Sequence, residues 1–231
     1  MKKSLSIPEE LLLLALRDEK GTIVPGVQYG FAIGGAILAE LLMARRIRID
    51  DSKKRSLVDA VDESPLGDPL LDDALAKIVS ARRRGSMQTW VNRFANTADL
   101  KHTVARGLCD RGILREEEGR VLFIFSRTLY PESDPGPEQE LLDRLKEAVF
   151  GDSAEVDART SVLVALAHHS GLLAVPFPRK ELKARKKRIE QLAAGDLTAK
   201  ATRQAIEAMQ AAIVAAAVVS SVVATTVVTS S

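Results

Sequence analysis

The stretch Phe31-Ala-Ile-Gly-Gly-Ala-Ile-Leu-Ala-Glu-Leu-Leu-Met43 decides the fold of this chain. Glu40 is its only charged residue, and every other position is apolar or glycine. A helix of this composition is hydrophobic on nearly all faces, so it belongs inside a protein. The competing interpretation is a membrane span, but the run is shorter than the ~20 apolar residues that a bilayer requires. We therefore predict that residues 30–44 form the buried central helix of an all-α, mainly helical fold.

Gly30, Gly34 and Gly35 lie at the start of this predicted helix. In a helix interior each glycine costs roughly 1 kcal/mol relative to alanine. Because glycine has no Cβ atom, it lets another element approach the backbone closely. We expect close packing to be the use of these glycines.

A second nearly all-apolar run, Val162-Leu-Val-Ala-Leu-Ala167, lies later in the chain. It needs a buried position for the same reason as the first run. We therefore expect residues 160–169 to form a helix that neighbours the central one and is largely buried like it.

Shorter patterns predict the elements around these two helices. Ser6 and Glu9 have the spacing of a capping box at a helix start. Apolar residues at helical spacing predict helices over about 8–17, 69–84, 87–111, 138–150, 179–192 and 198–219. Strand-like segments predict hairpins at 45–61 and 113–127, the second with an acidic turn at 116–119. The prediction is one domain over 1–219, a central helical bundle with surrounding amphipathic helices and one or two β-hairpins, followed by a Val/Thr/Ser tail over 220–231.

Charge and cysteine content exclude some classes of protein. The formal net charge is +2 for 231 residues, which is too small to imply a nucleic-acid partner by itself. Cys109 is the only cysteine, so a scaffold of intramolecular disulfides is excluded. Residues 1–8 lack the apolar segment of a secretory signal, and we expect a cytoplasmic location.

The residues that most often carry catalysis or bind metals form no recognisable pattern. His168 and His169 are adjacent, so on a helix they point to different faces, unlike the i,i+4 pair of a helical zinc site. Cys109 has no partner at a recognisable spacing, which favours a buried thiol over a nucleophile. The glycines at 30–35 do not match a dinucleotide or phosphate loop. We therefore expect no enzymatic activity, no metal and no cofactor.

Basic residues are concentrated in the stretch 179–188. They are compatible with an ordinary solvated helix face. They are also compatible with a patch that attracts acidic lipid head groups, since clustered Lys and Arg contribute roughly 1 kcal/mol each near such a surface. We assign this membrane-surface basic patch to Lys183, Lys186, Lys187 and Arg188.

Five stretches, which together extend over nearly the whole chain, resemble the Golgi phosphoprotein 3 family, whose bacterial members are stand-alone domains. They are Ser6-Ile-Pro-Glu-Glu-Leu-Leu-Leu-Leu-Ala-Leu-Arg-Asp-Glu-Lys-Gly21, Gly35-Ala-Ile-Leu-Ala-Glu-Leu-Leu42, Arg46-Ile-Arg-Ile49, Leu108-Cys-Asp-Arg-Gly-Ile-Leu114 and Leu163-Val-Ala-Leu-Ala-His168. The resemblance implies a mainly helical fold with a protruding hairpin and a non-enzymatic, peripheral membrane adaptor. It also implies binding to phosphatidylinositol 4-phosphate, on the cytoplasmic face of Golgi membranes if the protein is eukaryotic.

The same resemblance implies a head-group pocket that this sequence has altered. Eukaryotic members hold the phosphate with a tryptophan, an arginine and two later basic residues. These positions fall here on Pro25, Gly34, Ala98 and Lys101. Lys101 alone keeps its charge, so it is the predicted lipid-binding residue of a degenerate pocket that binds phosphoinositide-like anionic lipid weakly and with little selectivity.

The family also implies contacts through the hairpin at 113–127. Val121, Phe123 and Phe125 alternate along the predicted strand and therefore share one face. An apolar face that a monomer leaves uncovered favours contact with a membrane or with a second copy of the chain. We predict such contacts, including possible self-association, through these three side chains.

A winged-helix nucleic-acid-binding protein is the alternative from another functional class. Two segments, 36–61 and 105–125, each combine a helix with a predicted hairpin, as such proteins do. Binding would require basic residues on the wing, whereas the predicted wing tip carries Glu116, Glu117 and Glu118. We therefore expect no nucleic-acid partner.

Overall fold

The structure is a computed structural model that describes residues 4–17, 20–50, 57–121 and 125–197. Helices account for most of the described elements. Their bounds are α1 Ile7–Ala15, α2 Tyr29–Met43, α3 Pro69–Val79, α4 Met87–Ala95, α5 Leu100–Asp110, α6 Gly136–Phe150, α7 Ala158–His169, α8 Arg179–Ala184 and α9 Lys186–Ala194, with a 3-10 turn at Leu172–Ala174. The strands are β1 Leu16–Arg17, β2 Thr22–Ile23, β3 Ile47–Asp50, β4 Leu57–Ala60, β5 Glu117–Val121 and β6 Phe125–Leu129.

Helices α2 and α7 form the centre of the fold. They contact each other, and α2 also packs against α1 and α4. Along α2 the side chains or backbone of 32–39 are all buried, and 160–167 are all buried along α7. The predicted pair of neighbouring, buried helices is confirmed, and the fold is mainly helical.

Glu40 joins three of these helices. Its Oε1 accepts a hydrogen bond from the Ile7 N–H at 2.8 Å, and the Arg159 guanidinium lies 2.9 Å from the same oxygen. At the same end of α1, the Ser6 N–H donates to the Glu9 carboxylate at 2.7 Å, which confirms the predicted capping box. The one charge in the central run is therefore used to fix the start of α1 against α2 and α7.

The described strands form three antiparallel two-stranded sheets, one more than the sequence predicted. In the first, β1 pairs with β2, where the sequence indicated only the end of a helix and a polar turn. The second, β3 with β4, is the predicted hairpin at 45–61 and pairs Ile47 with Ala60. Helix α3 ends at Val79, before the predicted 84. Arg84 lies beyond this end and contacts the carboxylates of Asp50 and Asp59 at 2.6 Å each.

The third sheet corrects the predicted hairpin at 113–127. Pairing runs from Glu117 opposite Leu129 to Val121 opposite Phe125. Glu117 and Glu118, which were predicted to lie in the turn, are thus in strand β5. The second strand starts at Phe125, the residue at which it was expected to end. An isolated bridge between Leu114 and Glu132 continues the same pairing towards the core, because buried Ile113 and Leu114 hold the first strand there.

The predicted basic helix over 179–192 is divided into α8 and α9. Arg185 stands between them with φ −101° and ψ 12°, outside the helical region. Its guanidinium donates to the Phe150 carbonyl oxygen at 2.6 Å, at the end of α6. The predicted helix at 198–219 and the tail at 220–231 lie outside the described residues.

Candidate functional site

A cleft of about 490 Å³ surrounds Lys101, the residue predicted to bind lipid. We call it the Lys101 cleft. It is lined by Thr22, Ile23, Tyr29, Ala95, Thr97, Asp99, Leu100, Lys101, His102 and Arg127. Helix α5, the end of α4, strand β2 and strand β6 all contribute to it, so the site depends on how these elements pack.

The Lys101 side chain is held over a rigid floor. Its Nζ lies 5.3 Å from the centre of the Tyr130 ring and 3.5 Å from the carbonyl oxygen of Thr128. Tyr130 is only 1% exposed, and its hydroxyl lies 2.7 Å from Nδ1 of His102 in a hydrogen bond. Fixed groups lose little freedom when a ligand binds, so this floor pre-organises the ammonium group.

Lys101 shares the cleft with a second cation, Arg127. Burial lowers the pKa of Lys101, and the nearby positive charge of Arg127 lowers this pKa further. Neither cation forms an ion pair with a carboxylate among the described residues. These two like charges in one cleft attract an anion, because the anion would offset their repulsion and the lost solvation of Lys101.

The N-terminus of α5 adds to this positive potential. Asp99 precedes the helix in the left-handed region, with φ 59°, and its side chain does not cap the first turn. The first N–H groups of a helix and its dipole favour anions. The Asp99 carboxylate itself also lines the cleft, so the lining carries two cations against one carboxylate.

None of the other three family positions lines the Lys101 cleft. Pro25 lines a different cleft, beside Lys183 and Lys186. Gly34 lies against α4, where an added Cβ would be 2.7 Å from the Val91 carbonyl oxygen. Ala98 is exposed in the turn before α5. Only Lys101 therefore remains in a cleft of the type that the resemblance implied.

Sequence reasoning missed Arg127. The predicted hairpin at 113–127 included Arg127, but its second strand was placed at 121–125, after the acidic turn. In the structure Arg127 lies within β6, opposite Gly119. Only the correct register of the hairpin would have placed Arg127 beside α5, and the apolar run 121–125 indicated a different register.

The basic patch is three exposed residues rather than four. Lys183, Lys186 and Lys187 are exposed on α8 and α9. Arg188 instead points to α6, donating from Nε to the Ala148 carbonyl oxygen at 2.7 Å and from Nη1 to that of Ser153 at 3.0 Å. Its role in the described structure is to hold α9 in place.

The remaining predicted residues have ordinary environments or lie outside the description. Burial lowers the pKa of His168 and of His169, and their rings are 5.4 Å apart at the end of α7. Burial raises the pKa of the Cys109 thiol, which opposes its use as a nucleophile.

Nothing is described for the side chains of Val121, Phe123 and Phe125. The expected contacts of the hairpin therefore stay a prediction. Gel filtration of a Phe123→Ser/Phe125→Ser variant would test it, and an unchanged elution volume together with unchanged membrane recovery would contradict it.

Within the described residues, the helices are too short or too polar to cross a bilayer. The same part of the chain holds no cluster of three or more side chains suited to a metal ion.

Comparison with known proteins gives the family. The family model of Golgi phosphoprotein 3 (GPP34) matches residues 7–209. Vacuolar protein sorting-associated protein 74 of Eremothecium gossypii is 27% identical over 201 residues, which is 74% of this chain and 60% of the relative. The matched part thus spans less than two thirds of that relative. Because the family model extends across most of the chain and over its helical core, the protein belongs to the Golgi phosphoprotein 3 family.

Proposed function

We propose that the protein is a peripheral membrane adaptor that binds the head group of an anionic phospholipid, of the phosphatidylinositol 4-phosphate type, in the Lys101 cleft. The observation that carries the proposal is the joint presence of Lys101 and Arg127 in one cleft, without an ion-pair partner among the described residues. Family membership supports the choice of ligand, since members of the family bind this lipid. It also supports the expectation that the protein is not an enzyme, because the family consists of non-enzymatic adaptors.

We expect binding to be weak but still selective. Three of the four family positions have lost their chemistry, which removes donors that a doubly charged phosphate requires. Arg127 restores one guanidinium, which can bind two phosphate oxygens at once. The cleft therefore has two charged donors and a helix N-terminus, where the aligned positions alone would leave one lysine.

The basic patch contributes attraction without selectivity. Lys183, Lys186 and Lys187 are exposed, so they act on a membrane through its surface potential. This potential decays within a Debye length of about 8 Å at physiological salt. Contacts inside the cleft are partly desolvated and are screened less, so salt distinguishes the two contributions.

Liposome flotation tests the proposal. We expect vesicles with phosphatidylinositol 4-phosphate to recover more protein than vesicles of equal charge with phosphatidylserine, and this preference to persist when salt is raised. Lys101→Ala and Arg127→Ala should each remove most of the preference. Arg106→Ala, an exposed position on α5 outside the Lys101 cleft, is the matched control and should retain it.

A second set of variants separates the patch from the cleft. Replacing Lys183, Lys186 and Lys187 with alanine should lower recovery on both kinds of vesicle at low salt and leave the preference intact. Arg188 is kept, because its loss would disturb α9. Equal recovery on both lipids with no effect of Lys101→Ala would overturn the proposal.

A further inference from the structure

A second cleft, of about 600 Å³, is lined by residues that directly follow those of the Lys101 cleft in the segment 22–27. We call it the Lys183 cleft. Thr22 and Ile23 line the first cleft, whereas Val24 and Pro25 line the second. The lining of the Lys183 cleft consists of Val24, Pro25, Gly26, Val27, His168, Gly171, Leu173, Ala174, Val175, Arg179, Leu182, Lys183 and Lys186. The volume is within the range of about 300–1,000 Å³ that is usual for small-molecule sites.

The floor and one wall of this cleft are apolar. Leu173 is 1% exposed and belongs to the core, while Val175 beside it is 37% exposed. Val175 is one of three large apolar side chains on the surface of the described part of the chain. An apolar surface that reaches from the core to solvent in a concave site favours an apolar ligand group.

The rim of the same cleft is cationic. Arg179, Lys183 and Lys186 line it, and no carboxylate does. Lys186 forms an ion pair with Glu190 at 3.6 Å, but both side chains are mostly exposed, so that pair is worth little. Arg179 and Lys183 have no ion-pair partner among the described residues. The charge of the rim is therefore largely available to a ligand.

From this combination we propose that the Lys183 cleft binds a single-chain amphiphile with a phosphate head, of the lysophosphatidic acid class. The acyl chain lies on the floor formed by Leu173, Val175 and Leu182, and the phosphate lies between Arg179 and Lys183. An inorganic phosphate would leave the apolar floor uncovered, and an uncharged chain would leave Arg179 and Lys183 without an ion-pair partner. Charge complementarity together with the apolar floor thus selects an amphiphile over either part alone.

His168 borders the cleft on the side of α7. Burial and the nearby Lys186 lower the pKa of His168, while Glu190 opposes this. At neutral pH its ring is therefore uncharged, and it adds a polar edge without adding a fourth cation. The positive charge that the phosphate meets comes from α8 and α9.

Isothermal titration with three ligands tests the proposal on the wild-type protein. The ligands are oleoyl lysophosphatidic acid, oleoyl lysophosphatidylcholine and glycerol 3-phosphate, each below any micellar concentration. The first has both chain and anionic head, the second has the same chain with a zwitterionic head, and the third has no chain. We expect the first to bind at least tenfold more tightly than the other two. Absence of binding by the first, or equal binding by either of the others, would overturn the proposal.

Variants locate the binding. Arg179→Glu/Lys183→Glu reverses the rim at two exposed positions, and Ala174→Trp fills the cleft without changing its charge. Each should weaken binding of lysophosphatidic acid at least tenfold. Lys180→Glu is the matched control, because Lys180 is exposed on α8 but does not line the cleft, and it should bind like the wild type. Thermal melts of all variants confirm that they fold, and a loss with Lys180→Glu equal to that of the rim variant would assign the effect to overall charge and overturn the site.

One more variant keeps this site distinct from the Lys101 cleft. Lys101→Ala should leave lysophosphatidic acid binding unchanged, whatever it does to liposome recovery. A loss of both in that variant would show that one site, at Lys101, accounts for all lipid binding, and would overturn the assignment to the Lys183 cleft.

Discussion

At Gly34 the missing side chain is what allows α2 and α4 to touch. A Cβ there would lie 2.7 Å from the Val91 carbonyl oxygen and 3.2 Å from the Ala95 amide nitrogen, both of them backbone atoms that cannot rotate away. The sequence predicted close approach at these glycines, and Gly34 confirms it.

Gly34→Ala should therefore destabilise the protein by about 1–3 kcal/mol, as overpacking of a close-packed core does. Gly30→Ala is the control on the same helix, because its Cβ would lie 3.3 Å from the Ala95 carbonyl oxygen and needs only a small adjustment. Alanine's higher helix propensity offsets that adjustment, so we expect Gly30→Ala to stay within about 1 kcal/mol of the wild type. Urea denaturation measures both, and equal midpoints for the two variants would contradict this account of Gly34.

Among the elements, the apolar helices were predictable, whereas the division of the basic helix at 179–192 was not. The central run and 162–167 are hydrophobic on every face, so a buried helix is the outcome that satisfies them. The basic stretch 179–188 looked like one solvated helix because cations usually face water. Arg185 and Arg188 instead bind carbonyl oxygens at the end of α6, which divides the helix. No local pattern indicates this, since the acceptors lie about 35 to 40 residues earlier in the chain.

The hairpin is a second element that local sequence patterns did not predict correctly. Strand β5 begins with Glu117 and Glu118, both exposed, which propensity assigns to a turn. Its register is fixed from the other end, where Ile113 and Leu114 are buried and Leu114 bridges to Glu132. Because the buried residues Ile113 and Leu114 decide the register, the sequence pattern of the strand alone predicted the wrong turn. It therefore gave no indication that Arg127 lies in the Lys101 cleft.

Arg188→Ala should destabilise the fold by about 1–3 kcal/mol, since it leaves the Ala148 and Ser153 carbonyl oxygens without their charged donor. Lys187→Ala, next to it and exposed, should stay within about 0.5 kcal/mol of the wild type. Chemical denaturation followed by circular dichroism compares the two. If both variants unfold at the wild-type midpoint, Arg188 belongs with the surface patch after all.

For the molecule as a whole, the sequence identified half of the candidate site. Lys101 was found by resemblance, whereas Arg127 joins it only because the hairpin packs on α5. The Lys183 cleft was also beyond prediction, because residues 24–27 line it together with residues 168–186, which follow much later in the chain. The acidic turn that argued against the nucleic-acid alternative is itself wrong, because Glu117 and Glu118 lie in β5, so the expectation of no nucleic-acid partner stays a prediction.

The stability of the whole molecule should depend on pH through its buried titratable groups. Glu10 is 3% exposed, next to Arg144, and its Oε2 has no hydrogen-bond partner among the described residues. Burial raises the pKa of Glu10 from its ordinary value of 4.5, although Arg144 and Arg159 oppose the shift. The folded protein therefore holds this proton more tightly than the unfolded chain does. The stability that Glu10 contributes is present below pH 4.5 and is lost as the pH rises through its raised pKa.

His168 and His169 change the stability of the protein with pH in the opposite direction. Burial lowers the pKa of both from 6.5, so the unfolded chain binds protons more readily, and their contribution is lost as the pH falls below 6.5. Glu10→Gln removes the first dependence and keeps the second. We expect the melting temperature of this variant, relative to the wild type, to increase steadily as the pH is raised from 4 to 7, whatever the difference at pH 4. If the melting temperatures of the two proteins instead differ by the same amount at every pH in this range, the Glu10 carboxyl group ionises as easily in the folded state as in the unfolded one. Its pairing with Arg144 would then fully compensate for its burial.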